Sequence, residues 1–298
     1  LTVNETSAGF MATTVGQLTG VPGVCVSTVG PGATNLSTGV GCAWLDVAPV
    51  VAITCNVPSP WLQRRIQMRI DHNLLFRPLT KGSFALGADG VAERIAKALS
   101  LASAEPPGPV HLDLPEDVGL AASSIGTPAR AFPQALEDVA DEARVELAKA
   151  LAHSRRPVVM TGLTFTRCRT SDSLLRFIET HHLPFVSTLH AKGFLPESHP
   201  NWVGVIGRAR RSNVQQILDR ADLVLAVGYD PIEINYEEWV GETPVFHLST
   251  MPAEMDPRVH FVFNSGGDLD QALRRCESLP PVPNDWTLEE WESHREQL

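Results

Sequence analysis

The stretch that decides the fold is residues 24–35, Val24-Cys25-Val26-Ser27-Thr28-Val29-Gly30-Pro31-Gly32-Ala33-Thr34-Asn35. An extended run enters a glycine-rich turn, and the turn opens a helix predicted over 34–45. Such a strand-to-helix joint lets backbone approach a ligand closely and points free N–H groups at it. As a dinucleotide fingerprint it is poor, because Asn35 stands where the third glycine of GxGxxG belongs and Pro31 stiffens the loop. Taken alone, the hexapeptide is equally a ligand-free turn.

Outward from this joint the pattern repeats. Residues 5–19 carry Ala8, Met11, Ala12, Val15 and Leu18 at helical spacing and stop at Gly20. Strands are predicted at 50–57 and 109–114, with a helix at 89–104 between them. The strands are continuously apolar, the mark of a parallel sheet buried on both faces. Residues 116–134, with proline, glycine and small polar residues and no apolar period, read as an interdomain linker. Beyond it the alternation restarts: helices at 134–153, 171–181, 212–220 and 268–278, and strands at 157–161, 184–188, 222–228 and 244–249. The fold class is therefore α/β, two three-layer α/β/α domains with mainly parallel sheets. The domains are 1–115 and 135–279, with 280–298 a tail or lead-in in which Trp286 and Trp291 act as packing anchors. The chain opens on a short Leu1-Thr2-Val3 strand, and the first sheet is expected to want a further strand and helix before it.

Composition narrows the function classes. The chain has 298 residues, 43% hydrophobic and 19% charged, which suits a folded globular enzyme. Lys and Arg number 24 against 34 Asp and Glu, a formal charge of −10 with no basic block, so nucleic acid is a poor partner. No apolar run reaches the roughly 18 residues of a membrane span and no signal-type start is present, so the expectation is no membrane and a cytoplasmic location. Five cysteines without a CxxC pair read as reduced thiols, mostly buried.

Several segments, in order, resemble the pyrimidine-binding domain of thiamine diphosphate enzymes of the acetolactate synthase and pyruvate oxidase type. They are Thr2-Val3-Asn4-Glu5, Gly20-Val21-Pro22-Gly23, Gly30–Asn35, Ala48–Thr54, Phe76-Arg77-Pro78-Leu79-Thr80-Lys81 and Pro106–Pro115. The likeness continues through Arg156–Val159, Leu183–Thr188, Lys192-Gly193, His199-Pro200 and Ala221–Gly228, which resemble the family's central domain. The resemblance implies a 2-keto acid lyase or acyl-group transferase using thiamine diphosphate with Mg²⁺, working as a homodimer or homotetramer. It makes Glu5 the catalytic carboxyl that shares a proton with the cofactor's pyrimidine, with Pro31 and Asn35 beside the ring. Asn56 and Lys81 become candidates for the substrate side. Thr2-x-x-Glu5 also spells a capping box, in which Glu5 bonds only a backbone N–H.

Departures from the family pattern bear on this reading. Cys55-Asn56 stands where the family has Gly-Gln. The expected Phe-Gln has only the displaced Ile66-Gln67, inside the basic run Arg64–Arg69, whose arginines read as an exposed helix face or as partners of an anionic substrate. Asp71 and His72 are candidate proton shuttles. Tyr229-Asp230-Pro231 replaces the RFDDR-like segment of flavin-dependent members, which makes FAD unlikely and resembles the flavin-free catabolic acetolactate synthases. No GDG motif for diphosphate and Mg²⁺ is found, so that site is expected in a third domain, no metal ligand is assigned here, and the chain alone is expected to be inactive. The alternatives are a non-catalytic or split-enzyme subunit, or a scaffold. A nucleotide-binding oxidoreductase is weaker still, because Val159–Thr164 lacks GxGxxG.

Overall fold

The computed structural model describes residues 1–122, 135–207, 211–234, 239–287 and 289–291, without the side chains of 211–213. It divides into two units, 1–135 and 136–298. Each is built on an entirely parallel sheet.

In the first unit the order is α1 (Glu5–Thr19), β1 (Gly23–Ser27), α2 (Pro31–Leu45), β2 (Val50–Asn56), α3 (His72–Phe76), β3 (Gly82–Ala85), α4 (Val91–Ser103), β4 (Pro109–Pro115) and α5 (Glu116–Leu120). The strands lie in the order β1-β2-β4-β3. Two apolar clusters fill the two faces of the sheet. Ala33, Leu36, Val40 and Ala43 of α2 pack with Cys25, Val50 and Ala52 on one side. Ala98 and Ala102 of α4 pack with Val51, Val110 and Leu112 on the other. This is the three-layer arrangement that two-sided apolar strands require.

The second unit runs α6 (Ala140–His153), β5 (Pro157–Thr161), α7 (Ser171–Thr180), β6 (Phe185–Thr188), β7 (Trp202–Ile206), α8 (Arg211–Leu218), β8 (Leu223–Val227), β9 (Val245–Ser249), β10 (Phe261–Gly266) and α9 (Leu269–Glu277). Its sheet order is β10-β9-β8-β5-β6-β7. Val159, Leu225 and Phe246 point to the α6, α7 and α9 layer, while Val158, Met160 and Val224 point to the opposite layer with Ile217 of α8.

Several expectations need correction. Leu1–Val3 form no strand, and Leu1 and Val3 are fully exposed. Residues 116–120, read as linker, form α5, while 123–134 lie outside the described residues. The segment 62–70 contains no helix, so the arginines there share no helix face; Arg64 lies over the Trp61 ring at 5.7 Å. The edge strands β3, β7 and β10 were not legible. The tail is joined to the second unit as far as it is described. Trp286 and Trp291 are both buried, and the Trp286 indole N–H donates to the Pro157 carbonyl at 2.9 Å. All five cysteines are free thiols, but only Cys25 and Cys276 are fully buried, fewer than expected.

Candidate cofactor site

The site is positioned by two helices that touch through glycine. A Cβ on Gly9 of α1 would lie 2.7 Å from the Gly39 Cα of α2, and one on Gly39 would lie 2.6 Å from the Gly9 Cα. Only a side chain of hydrogen permits that approach. It also explains which face of α1 is inward: Gly9, Ala12, Thr13 and Gly16 are buried, whereas Met11, Val15 and Leu18 of the apparent apolar stripe are exposed. Close packing selected the small residues over the large ones.

At the start of α1 the cap is Asn4, whose side chain accepts from the Thr6 N–H at 2.8 Å. Glu5 is thus the first residue of the helix, and the Thr2-x-x-Glu5 capping box is not formed. The Glu5 Oε2 instead accepts from the Asn35 side-chain amide at 3.2 Å, and the Thr6 hydroxyl donates to the Asn35 carbonyl at 2.7 Å. Glu5 is half-buried at one side of an apolar cleft of about 500 Å³ lined by Val3, Ala8, Met11, Val15, Val24 and Val26, among others. A Cβ at Gly32 would stand 3.4 Å from Glu5 Oε1, so the glycine keeps the second carboxylate oxygen uncrowded. Pro31, exposed, is the first residue of α2 and follows Gly30 on the same turn.

Gly30 holds this turn at φ +63°, ψ −109°, a conformation essentially reserved for glycine. Its N–H donates to His72 Nε2 at 3.2 Å, and His72 has no exposed surface. His72 therefore sits beneath the turn and braces it; Asp71 caps α3 by accepting from the Leu74 N–H.

From His72 a chain of polar groups, buried at Thr54, His111 and Asp113 and half-buried at Asn73 and Ser83, runs through the sheet, and Asp113 Oδ1 lies within reach of both His72 Nδ1 at 3.2 Å and the Thr54 hydroxyl at 3.5 Å. Ser83 donates to Asn73 Oδ1 at 2.8 Å, and the Asn73 amide donates to Asp113 Oδ2 at 3.3 Å. The Ser83 oxygen must then accept from His111 Nδ1–H at 2.7 Å, leaving His111 Nε2 to accept from the Thr54 hydroxyl at 2.8 Å. Thr54 in turn accepts from His72 Nδ1–H at 2.9 Å, consistent with His72 Nε2 accepting from Gly30. His111 is neutral, since burial pushes its imidazole down to about 3. Phe76 stacks on it at 4.3 Å.

Asn56 belongs to this network. Its amide donates to both oxygens of Asp113 at 3.0 Å, and its own Oδ1 accepts from the Val57 N–H at 2.8 Å. Lys81 lies elsewhere: its ammonium donates to the carbonyls of Ala104 at 2.6 Å and Pro106 at 2.8 Å, where burial lowers its pKa. The fold thus brings Glu5, Pro31 and Asn35 together, links Asn56 to them through the polar network and His72, and gives Lys81 a bracing contact at the end of α4. Thr54, His111 and Asp113 were missed as a group. Their signal was polar residues in strands whose other residues are apolar.

The first unit thus sets a helix-initial carboxylate against a glycine-rich turn, with an apolar cleft beside it. Residues 1–75 match the thiamine pyrophosphate enzyme N-terminal TPP binding domain, and residues 145–276 match the thiamine pyrophosphate enzyme central domain. The chain belongs to the thiamine pyrophosphate enzyme family, of which it carries the N-terminal and central domains. It is 32% identical over 284 residues to a probable acetolactate synthase large subunit of Methanocaldococcus jannaschii, covering 92% of this chain and 48% of that protein. It is 31% identical over 278 residues to an acetolactate synthase of Bacillus subtilis, covering 92% and 49%. It is 30% identical over 284 residues to a catabolic acetolactate synthase of Raoultella terrigena, covering 92% and 50%. The chain spans about half the length of these relatives. Among the described residues no group of three or more His, Cys, Asp or Glu side chains could hold a metal, and no helix is long and apolar enough to cross a membrane.

Proposed function

We propose that this chain supplies the pyrimidine side of a thiamine diphosphate site in an acetolactate synthase-like enzyme acting on a 2-keto acid. Glu5 is the carboxyl that shares a proton with the cofactor's ring nitrogen, and Asn35 orients it by donating to Oε2. Pro31 and Gly32 form the turn beside the ring, and the cleft offers apolar side chains next to the carboxyl. When bound, thiamine diphosphate would supply an acidic thiazolium C2–H and, in its imino tautomer, a nitrogen able to take that proton. The diphosphate and Mg²⁺ are held by groups outside the described residues, in an assembly of at least two subunits, so the chain by itself is inactive.

The observation that carries this reading is the release of Glu5 from capping: Asn4 closes the helix, so the carboxylate is available to a ligand. The fit of the donor set supports it, one carboxylate oxygen taken by an amide and the other standing beside Gly32, where a side chain would crowd it. The test is Glu5→Gln in the full-length protein, with deuterium exchange at C2 of the bound cofactor as readout. Gln keeps an oxygen for Asn35, so folding and cofactor binding survive while exchange slows by about 10²–10⁴-fold. Unchanged exchange would end the proposed role of Glu5. Absence of cofactor binding by the wild-type assembly would favour a scaffold or split-enzyme subunit.

A further inference from the structure

In the second sheet β5 has β6 on one side and β8 on the other, so the chain's direction of winding reverses between β5 and β8. In open parallel sheets the crevice outside the strand ends at such a reversal is where phosphate-bearing ligands settle, against backbone N–H groups of the turn after the first strand. Here that place is filled from within. We propose that the Glu233 carboxylate is the resident anion of this crevice, closing the central domain to phosphate-bearing cofactors such as a flavin or nicotinamide dinucleotide.

Three sets of contacts carry this. First, Glu233 follows β8 but reaches the turn after β5. Its Oε1 accepts from the Leu163 N–H at 2.7 Å and the Asp230 N–H at 2.9 Å, and Oε2 accepts from the Thr188 hydroxyl at the end of β6. Second, the turn has no N–H left to offer: Gly162 donates to Val227, Leu163 to Glu233, Thr164 to Gly228 and Phe165 to Gly162. Third, the glycines give no room. A Cβ on Gly162 would lie 2.4 Å from the Tyr229 Cα and 2.5 Å from Glu233 Oε1, and one on Gly228 would lie 2.3 Å from the Phe165 nitrogen. The space that glycine leaves open for pyrophosphate in a nucleotide-binding turn is taken by this chain's own atoms.

Pro231 and the reciprocal cap between Asp230 and Glu233 hold the plug in place. Burial raises Glu233 to about 7, against the pull of its three donors; Asp230 raises it further, and His190 Nδ1 faces Oε2 at 3.7 Å. The group is a carboxyl kept in a dry slot, charged above about pH 7 and neutral below it, with two N–H donors and a hydroxyl at its oxygens.

The test uses the purified chain with three variants followed by thermal melting and by titration with FAD and ADP. Wild type and Glu233→Gln, which keeps the shape and an acceptor oxygen, are expected to bind neither ligand and to respond to acetate or inorganic phosphate no more than to chloride of equal ionic strength. Glu233→Ala is expected to lose about 5 °C or more in Tm, and acetate or phosphate should return most of it in a saturable manner by refilling the slot. Glu233→Asp, which withdraws the carboxylate by one methylene, should show the same rescue at smaller amplitude if the alanine variant does not fold. Stoichiometric FAD or ADP binding by the wild type would overturn the proposal, as would Ala and Asp variants that melt lower yet ignore both anions.

Discussion

Each unit places one glutamate beside the strand ends of its parallel sheet, and the two are handled in opposite ways. Glu5 is half-exposed, takes a single hydrogen bond from Asn35, and looks over an apolar cleft. The Glu233 side chain has no exposed surface, takes three donors, and fills the crevice it occupies. The difference lies in the supporting turn. Below Glu5, the donor of Gly30 is satisfied from beneath by His72, leaving the upper side of the turn clear. Around Glu233, one N–H of the turn after β5, that of Leu163, is taken by the carboxyl itself and the others by backbone carbonyls. The same layered fold thus makes an open place or a closed one according to where the polar partners come from.

The sharpest test of this contrast is removal of the anchor in the first unit. Asp113→Ala leaves the buried Asn56 amide and the buried His72 Nδ1–H without this acceptor and strips the half-buried Asn73 amide of its own, and is expected to destabilise the first unit by roughly 3–5 kcal/mol in urea unfolding. A loss under about 1 kcal/mol would mean that the network does not support the turn. Next come the paired glycines. Gly162→Ala collides with backbone at Tyr229 and should cost about 3 kcal/mol. Gly32→Ala meets the Thr28 Cγ2 at 2.7 Å, a side-chain methyl that can rotate away, and should cost about 1 kcal/mol. Equal costs would erase the distinction between open and closed turns.

The third test is pH. Folding raises Glu233 from its usual 4.5 to about 7, so the folded chain binds the proton more tightly than the unfolded one, and this contribution to stability is lost as pH rises from about 4.5 through 7. Glu233→Gln removes that slope. Relative to wild type the variant should gain up to roughly 3 kcal/mol between pH 5 and pH 8, with His190 and Asp230 modulating the midpoint. A pH-independent difference would place the carboxylate in contact with water. The smallest effect belongs to Lys81→Met, expected to cost about 1 kcal/mol through the two carbonyls it leaves and to spare cofactor binding. A selective rise in KM for the keto acid would instead restore Lys81 to the substrate side.

Much of the fold was legible because its central strands carry their own signal. Residues 50–56, 109–115, 157–161 and 223–227 are short, apolar and bounded by breakers, and each is flanked in its sheet by two neighbours. The edge strands β3 and β7 lean on one partner each, and β10 is largely half-exposed; their sequences lack an uninterrupted apolar run. Of the site, Glu5 and Asn35 could be read because a local motif marks each, whereas their contact depends on the glycine crossing of α1 and α2. The polar network could not be read from spacing: Thr54 meets Asp113 only through the parallel register of β2 with β4. Glu233 carried a partial signal, since Asp230-x-x-Glu233 spells a cap, but its reach to Leu163 joins residues 70 apart.

The buried chain from Gly30 to Asp113 has a further consequence, because the direction of each hydroxyl in it is tied to the tautomer of the imidazole beside it. Both imidazoles carry their hydrogen on Nδ1, and neither hydroxyl can turn round without stranding its neighbour. The hydroxyl hydrogen of Thr54, which has no exposed surface, can therefore trade with solvent only when the first unit opens. Nitrogen resonances of His72 and His111 and slow hydroxyl exchange make this chain a built-in clock for the opening of the sheet, and binding of a ligand above Gly30 should slow that clock.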